Sequence, residues 1–365
     1  MMQAIKAFGE KIQTVIAGGD LGKQETYDLF RELLLNRQPD LQQGALLAAL
    51  AAKGETAGEI AGAMEAILEL DTVQPGEGLP RPLTENSGTG MDGQRTFNVS
   101  SAAAVIAAAR GVKMARHCAR AITSLCGAVD IMEAAGVDME CRAETVDKSI
   151  RNAGIGIYNG MSARIHPSAL FRILGQIRFG SVLNIAASLA NPARPTVGVR
   201  GVWTPKMIAA TAEVMRGIGY EKGLVFCGAA SGEALVMDEI SVSGPTLVTE
   251  FRDGEERTYE LTPEDFGIKN QPFAELVQQE NLETEAKRFV DVLSGKRHTA
   301  CRAYACANAS AILYLSGKCG SYRQGFEMAM DAISSGAAVG KLMEWVLEQN
   351  ENPKQGMEKL MRLRD

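Results

Sequence analysis

Apolar residues recur at helical spacing through the first seventy positions. Ile5, Phe8, Ile12 and Val15 form one stripe, which ends at Gly18-Gly19. Tyr27, Phe30, Leu33 and Leu34 form a second, and Leu46, Leu47 and Leu50 a third that stops at Gly54. Thr56 is placed to cap a fourth stripe of Ile60, Met64, Ile67 and Leu68. Four short helices with tight links predict a small helical domain over residues 1–74. Pro75, Gly76, Gly78, Pro80 and Pro82 then read as a linker. Beyond it the period changes. Short β-branched runs at 112–115, 154–157, 199–203 and 224–227 alternate with helical stretches at 101–110, 127–136, 143–153 and 205–218. That alternation predicts an α/β domain over 83–350, a mostly parallel central sheet wrapped by helices. Residues 246–252 and 257–261, joined through Asp253-Gly254, read as a hairpin. The C-terminal third reads as helices over about 283–295, 300–316, 320–334 and 336–349, with 351–365 as a tail. Helices from about 160–185 are expected to pack with the N-terminal ones.

Composition narrows the function classes. The 365 residues are 46% hydrophobic and 22% charged, enough to bury a sizeable core. The net charge of −6 is mixed along the chain with no basic tail, which disfavours nucleic acid as a partner. No apolar run suggests a signal peptide or a membrane span. The seven scattered cysteines read as reduced thiols of a cytoplasmic protein.

Three segments carry candidate chemistry. The first is Ser87-Gly88-Thr89-Gly90-Met91-Asp92-Gly93, followed by Thr96-Phe97-Asn98-Val99-Ser100-Ser101 and an alanine-rich helix. Its glycines allow close backbone approach, and hydroxyls lead into a helix N-terminus, where free N–H groups and the dipole favour an anion. The plain alternative is a glycine turn before a capped helix. The second is Arg116-His117-Cys118-Ala119-Arg120 with Thr123 and Ser124, beyond a predicted strand, where arginines and hydroxyls suit a pyrophosphate. The third is Asp238-Glu239, adjacent carboxylates flanked by apolar residues, a candidate Mg²⁺ site.

In this order, the segments resemble the anthranilate phosphoribosyltransferase family, of the nucleoside phosphorylase type fold. The family's GTGGDG, TFNIS and KHGNR stand here as 88–93, 96–100 and 116–120. Its GSAD-like stretch, HP, NP and DE pairs stand as 127–130, His166-Pro167, Asn191-Pro192 and Asp238-Glu239. The likeness covers about 5–348. It implies a homodimer through the helical domain, with phosphoribosyl pyrophosphate and Mg²⁺ bound between the domains. Carried over, Gly88, Thr89, Gly90, Asp92, Gly93, Thr96, Asn98, Ser100, Ser101, Arg116, Thr123 and Ser124 hold the donor. Ser100, Asp238 and Glu239 bind the metal.

The departures concentrate on the acceptor. Met91 replaces a glycine, Arg116 the family's lysine, and Cys118 and Ala119 a glycine and an asparagine. Met91, Cys118, Ala119 and His166 are therefore the acceptor-side candidates, with Arg172 or Arg178 for the acceptor's carboxylate. No protein nucleophile is expected, and His166 is the candidate for proton removal. The expected function is phosphoribosyl transfer to an aromatic nitrogen in tryptophan biosynthesis. The alternatives are the same donor chemistry on another aromatic or heterocyclic acceptor, or a non-catalytic nucleic-acid-binding relative. A phosphorolytic enzyme ranks lower.

Overall fold

The computed structural model describes residues 2–89, 93–120, 126–177, 179–230, 235–296 and 298–365. Four helices open the chain: α1 (Met2–Ile16), α2 (Lys23–Leu34), α3 (Asp40–Lys53) and α4 (Ala57–Leu70). Thr56 caps α4 as its sequence predicts. Its hydroxyl accepts from the Glu59 amide at 3.3 Å, and Glu59 accepts from the Thr56 amide at 2.8 Å. Glu59 is fully buried and also accepts from the Leu21 amide and the Lys53 ammonium, so one carboxylate fixes the start of α4 and the entry to α2. Helices α2 and α4 cross closely at Gly62, where a Cβ would lie 2.3 Å from the Lys23 carbonyl.

The remainder runs β1 (Thr84–Ser87), α5 (Val99–Ala109), β2 (Met114–Cys118), α6 (Ala128–Ala134), α7 (Ala143–Asn152), β3 (Ile155–Asn159), α8 (Ala169–Ile177) and α9 (Val182–Leu189). It continues with β4 (Val197–Gly201), α10 (Ile208–Gly217), β5 (Lys222–Ala229), β6 (Val236–Met237), β7 (Thr246–Arg252) and β8 (Glu255–Leu261). It ends with α11 (Leu282–Leu293), α12 (Thr299–Leu315), α13 (Tyr322–Ser334), α14 (Ala337–Glu348) and α15 (Pro353–Arg364). The strand order is β3-β2-β1-β4-β5-β7-β8, with β6 beside β5. Strands β1 to β5 are mutually parallel, and the β7–β8 hairpin closes one edge antiparallel. This is the mostly parallel sheet the alternation predicts. The segment expected as a tail carries α15, whose Leu360 is fully buried.

One face of the sheet, with Met114, Ile155, Ile157, Val199, Leu224 and Phe226, packs in one core with α5, α12 and α14. The other face is notched by glycines where helices approach. A Cβ on Gly156 would lie 2.7 Å from Ile150 of α7, and one on Gly198 would lie 2.4 Å from Met215 of α10. A second core joins α1–α4 to Ala169, Leu170 and Ile173 of α8 and to Val182, Leu183 and Ala186 of α9. The helical lobe is thus built from two separate stretches of chain.

Candidate active site

Parallel strands all end on one edge, so the loops after Ser87, Cys118, Asn159, Gly201 and Ala229 gather there. Strand order reverses at β1, with β2 and β3 to one side and β4 and β5 to the other. Open α/β sheets bind ligands at such a switch point. The glycine loop leaves β1 at that place.

Gly88 lies against the Asp238 carboxylate. A Cβ there would be 2.8 Å from its Cγ, so only the bare backbone fits. Thr89 Oγ1 donates to Asp238 Oδ2 at 2.6 Å. Two more glycines make room for the carboxylate pair: a Cβ on Gly201 would lie 1.5 Å from the Asp238 carbonyl, and one on Gly228 would lie 2.3 Å from that of Glu239. Helix α12 fixes the turn from behind. Asn308 bonds both backbone groups of Ile240, and the Tyr304 hydroxyl donates to Glu239 Oε2 at 3.3 Å. Asp238 is buried.

Asn98 occupies the N-cap of α5, yet its side chain makes no capping bond, so no side chain takes the first-turn amides, although that of Val99 donates to the Phe97 carbonyl at 2.6 Å. Ser100 sits half-buried in that turn, and its carbonyl accepts from Asn86 Nδ2 at 2.8 Å. Thr96 is buried and pairs with Val277 in an isolated β-bridge. Gly93 turns with φ +72°. Arg116 and Ser101 depart from expectation. Arg116 is 1% exposed and its guanidinium lies beneath β1, donating to Ser101 Oγ at 2.8 Å and to the Asn86 carbonyl at 3.3 Å. The residues expected to grip the ligand grip each other, because the side chain of Arg116 points to the α5 face of the sheet. Arg120 is engaged by Asp130, Glu133 and Glu140. Gly90, Met91, Asp92, Thr123, Ser124 and Arg178 lie outside the described residues.

Sequence reasoning overlooked β1 itself. Glu85, Asn86 and Ser87 form the central strand, and Glu85 Oε1, Asn86 Oδ1 and Ser87 Oγ are buried without a hydrogen-bond partner among the described residues. Each such atom costs about 1–3 kcal/mol when left unmet. Burial pushes the Glu85 carboxyl above its usual range, against the pull of Arg200, and the Tyr220 hydroxyl donates to it at 2.5 Å. The signal available was a polar run abutting the glycine motif.

The comparisons with known proteins fit this geometry. Residues 10–70 match the helical bundle domain, and residues 81–339 the a/b domain, of a glycosyl transferase family. The anthranilate phosphoribosyltransferase of Methanothermobacter thermautotrophicus is 35% identical over 348 residues, which cover 93% of this chain and 97% of the relative. The chain belongs to the anthranilate phosphoribosyltransferase family. The anthranilate phosphoribosyltransferase of Thermus thermophilus superposes with a TM-score of 0.82 at 32% identity, covering 93% of this chain and 98% of that one. The Saccharomyces cerevisiae enzyme, in complex with phosphoribosyl pyrophosphate and Mg, shares the fold with a TM-score of 0.80 at 23% identity, over 94% and 98% of the two chains.

The acceptor side of this anthranilate phosphoribosyltransferase-family chain differs from expectation. Cys118 is half-buried at the end of β2 and Ala119 is exposed beyond it. His166 is fully enclosed. Its Nδ1 lies 2.8 Å from the Asp71 carbonyl, and its Nε2 lies 3.0 Å from Nε2 of His117. A carbonyl only accepts, so His166 Nδ1 carries the proton and His117 Nε2–H donates to His166. The Thr72 hydroxyl agrees: it donates to the Ile67 carbonyl and so accepts on its other side, 3.2 Å from His166 Nδ1. Burial, then the mutual proximity of the rings, holds His117 well below the ordinary histidine value, and burial lowers His166. Arg172 donates to Gln43 Oε1 at 3.1 Å and to the Leu33 carbonyl at 2.8 Å. It is turned onto the last turn of α2, where exposed carbonyls attract a cation, and away from the sheet edge.

Proposed function

We propose that the chain transfers a 5-phosphoribosyl group from phosphoribosyl pyrophosphate to the amino nitrogen of anthranilate, a step of tryptophan biosynthesis. The nitrogen lone pair forms the new bond to the anomeric carbon, the carbon–oxygen bond to pyrophosphate breaks, and the amine proton is released. The observation that carries the reading is Asp238 held against Gly88 of the glycine loop by Thr89. The amides of Gly88 and Thr89 and the uncapped first turn of α5 would receive the donor's phosphates, with Asn98 and Ser100 beside them. Asp238 and Glu239 fit Mg²⁺, which takes one or two carboxylates and fills its remaining positions with water or phosphate oxygens. When bound, the ion offsets the charge of the departing pyrophosphate. No side chain has to attack, so the protein's part is alignment and charge stabilisation.

Cys118 and Ala119 at the mouth of β2 favour a second reading on the acceptor side alone, in which the same donor meets another aromatic nitrogen. A cytoplasmic homodimer through the helical lobe is proposed with the first reading. Seven free thiols and the exposed apolar residues Ile16, Leu35 and Leu41 of that lobe support it. The test is Mg²⁺-dependent pyrophosphate release from phosphoribosyl pyrophosphate with anthranilate and a panel of aromatic amines. Turnover with anthranilate supports the first reading. Turnover only with another amine supports the second, and absence of donor binding overturns both.

A further inference from the structure

Between β8 and α11 the chain passes through a one-turn helix, Phe273–Glu275, turns at Leu276 and meets Thr96 in a bridge at Val277. This piece, Leu276–Gln279, touches the loop after β1, to which the proposed function assigns the donor, and the loop after β2. The Phe97 amide donates to the Leu276 carbonyl at 2.7 Å, and the Gln278 amide donates to the Arg95 carbonyl at 2.6 Å. Together they flank the Thr96–Val277 bridge. The Gln278 side chain then reaches the second loop, where Nε2 donates to the Cys126 carbonyl at 3.1 Å, just before α6. The two loops leave different strands, β1 and β2, and Gln278 bonds to both.

Behind this piece lies a buried ion pair that the sheet does not use. Glu285 and Arg288 of α11 are fully buried and about 3% exposed, and they meet at 2.7 Å. Glu285 accepts from the Gln279 amide at 3.0 Å. Arg288 donates to the Val277 carbonyl at 2.9 Å, and its guanidinium stacks 5.2 Å from the ring centroid of Phe97. A desolvated pair is weak evidence for stability, since apolar residues would fill the same space as well. What this pair supplies is direction: its bonds to Val277 and Gln279 and its contact with Phe97 land on Leu276–Gln279 or on the loop it holds, and a longer one at 3.5 Å reaches the Glu275 carbonyl just before them.

We infer that Gln278 and Arg288 are positioning residues for the donor, fixing residues 95–97 after β1 and Cys126 before α6 in one register. The inference rests on the proposed function, and it extends that reading to a segment with no residue at the metal pair. A strap of this kind acts chiefly on donor binding: it holds the loop of Gly88 and Thr89 directly, whereas the acceptor-side Cys118 and Ala119 lie at the far end of the β2 loop from the Cys126 tie.

The test uses the full-length protein with Gln278→Ala, Gln278→Glu and Arg288→Lys. Gln278 is half-buried, so its variants are expected to fold, and the lysine keeps the cation that Glu285 requires. Loss of one side-chain hydrogen bond should raise the donor KM and the Mg²⁺-dependent donor Kd by about three- to tenfold, with a smaller rise in the acceptor KM. Gln278→Glu, which sets a carboxylate against the Cys126 carbonyl, should exceed Gln278→Ala. Hydrogen exchange should quicken in residues 94–99 and 126–131 and stay unchanged in β4 and β5. An equal rise in both KM values, or unchanged exchange at both loops, overturns the inference. Should the unsubstituted protein bind no donor, the proposed function falls. Exchange alone then decides: faster exchange at both loops upholds the clamp, and unchanged exchange removes it.

Discussion

Gly88 shows how little room the site leaves around its carboxylate. An added methyl would sit 2.8 Å from the Cγ of Asp238 and 2.9 Å from Oδ2, the atom that Thr89 bonds. Gly88→Ala must therefore displace either the loop or the carboxylate. Its expected effect is a rise of roughly tenfold or more in donor Kd in the presence of Mg²⁺, with a thermal midpoint close to that of the unsubstituted protein. Titration calorimetry with phosphoribosyl pyrophosphate, with and without Mg²⁺, checks it, and an unaltered Kd would remove Asp238 from the metal site. At this scale the sequence was legible in chemistry and illegible in direction. Asp238 and Thr89 meet at the glycine loop, and Asn98 stands at the start of α5. Arg116, His166 and Arg172 carry the right groups but point inward or onto α2. A motif names a side chain, whereas the strand pleat decides which face it occupies.

Among the elements, the α2–α4 crossing sets two effects against each other. Replacing a helical glycine with alanine gains about 0.5–1 kcal/mol in backbone entropy. At Gly62 the new carbon would lie 2.3 Å from the Lys23 carbonyl and 2.9 Å from the Tyr27 amide nitrogen, backbone atoms that cannot swing aside. Overpacking of that kind costs about 1–3 kcal/mol and wins. At Gly44 of α3 nothing lies within 4 Å, so the entropy gain stands alone. Gly62→Ala should lower the urea midpoint and Gly44→Ala should raise it. Opposite signs support the close crossing, and two stabilised variants would refute it. Helices α1–α4 were readable from sequence because each carries an apolar stripe, and the hairpin because Asp253-Gly254 marks its turn. Strand β1 was not, because Thr84, Glu85 and Asn86 are polar residues buried by the sheet around them. Nor was Leu276–Gln279, whose bonds to the β1 loop are backbone ones that no periodicity encodes and whose bond to the β2 loop comes from a lone glutamine.

For the whole molecule, the histidine pair ties the sheet to the helical lobe. His117 is on β2, and His166 reaches the Asp71 carbonyl just beyond α4. Asp71 also draws the lobes together, since its carboxylate accepts from the amides of Ser168, Ala169 and Leu170 at the start of α8. Both histidines have folded values below their unfolded one, so both are neutral in the native state. As pH falls through about 6.5 the unfolded chain takes up protons that the folded chain refuses. Their contribution to stability is therefore present above about 6.5 and is lost on acidification below it. His117→Gln keeps a donor toward His166 while removing one titrating group. Its thermal midpoint should fall less steeply than that of the parent between pH 7 and 5.5, and parallel profiles would show that the pair does not titrate on unfolding.

The divided ancestry of the helical lobe has a consequence during synthesis. Helices α1–α4 leave the ribosome first, but the apolar face they share with α8 and α9 has no cover until about a hundred residues later. At translation rates of roughly 5–20 residues per second that interval lasts some 5–20 s. The first part of the protein to be made must wait, with its sticky side open, for the middle of the chain to arrive and complete it.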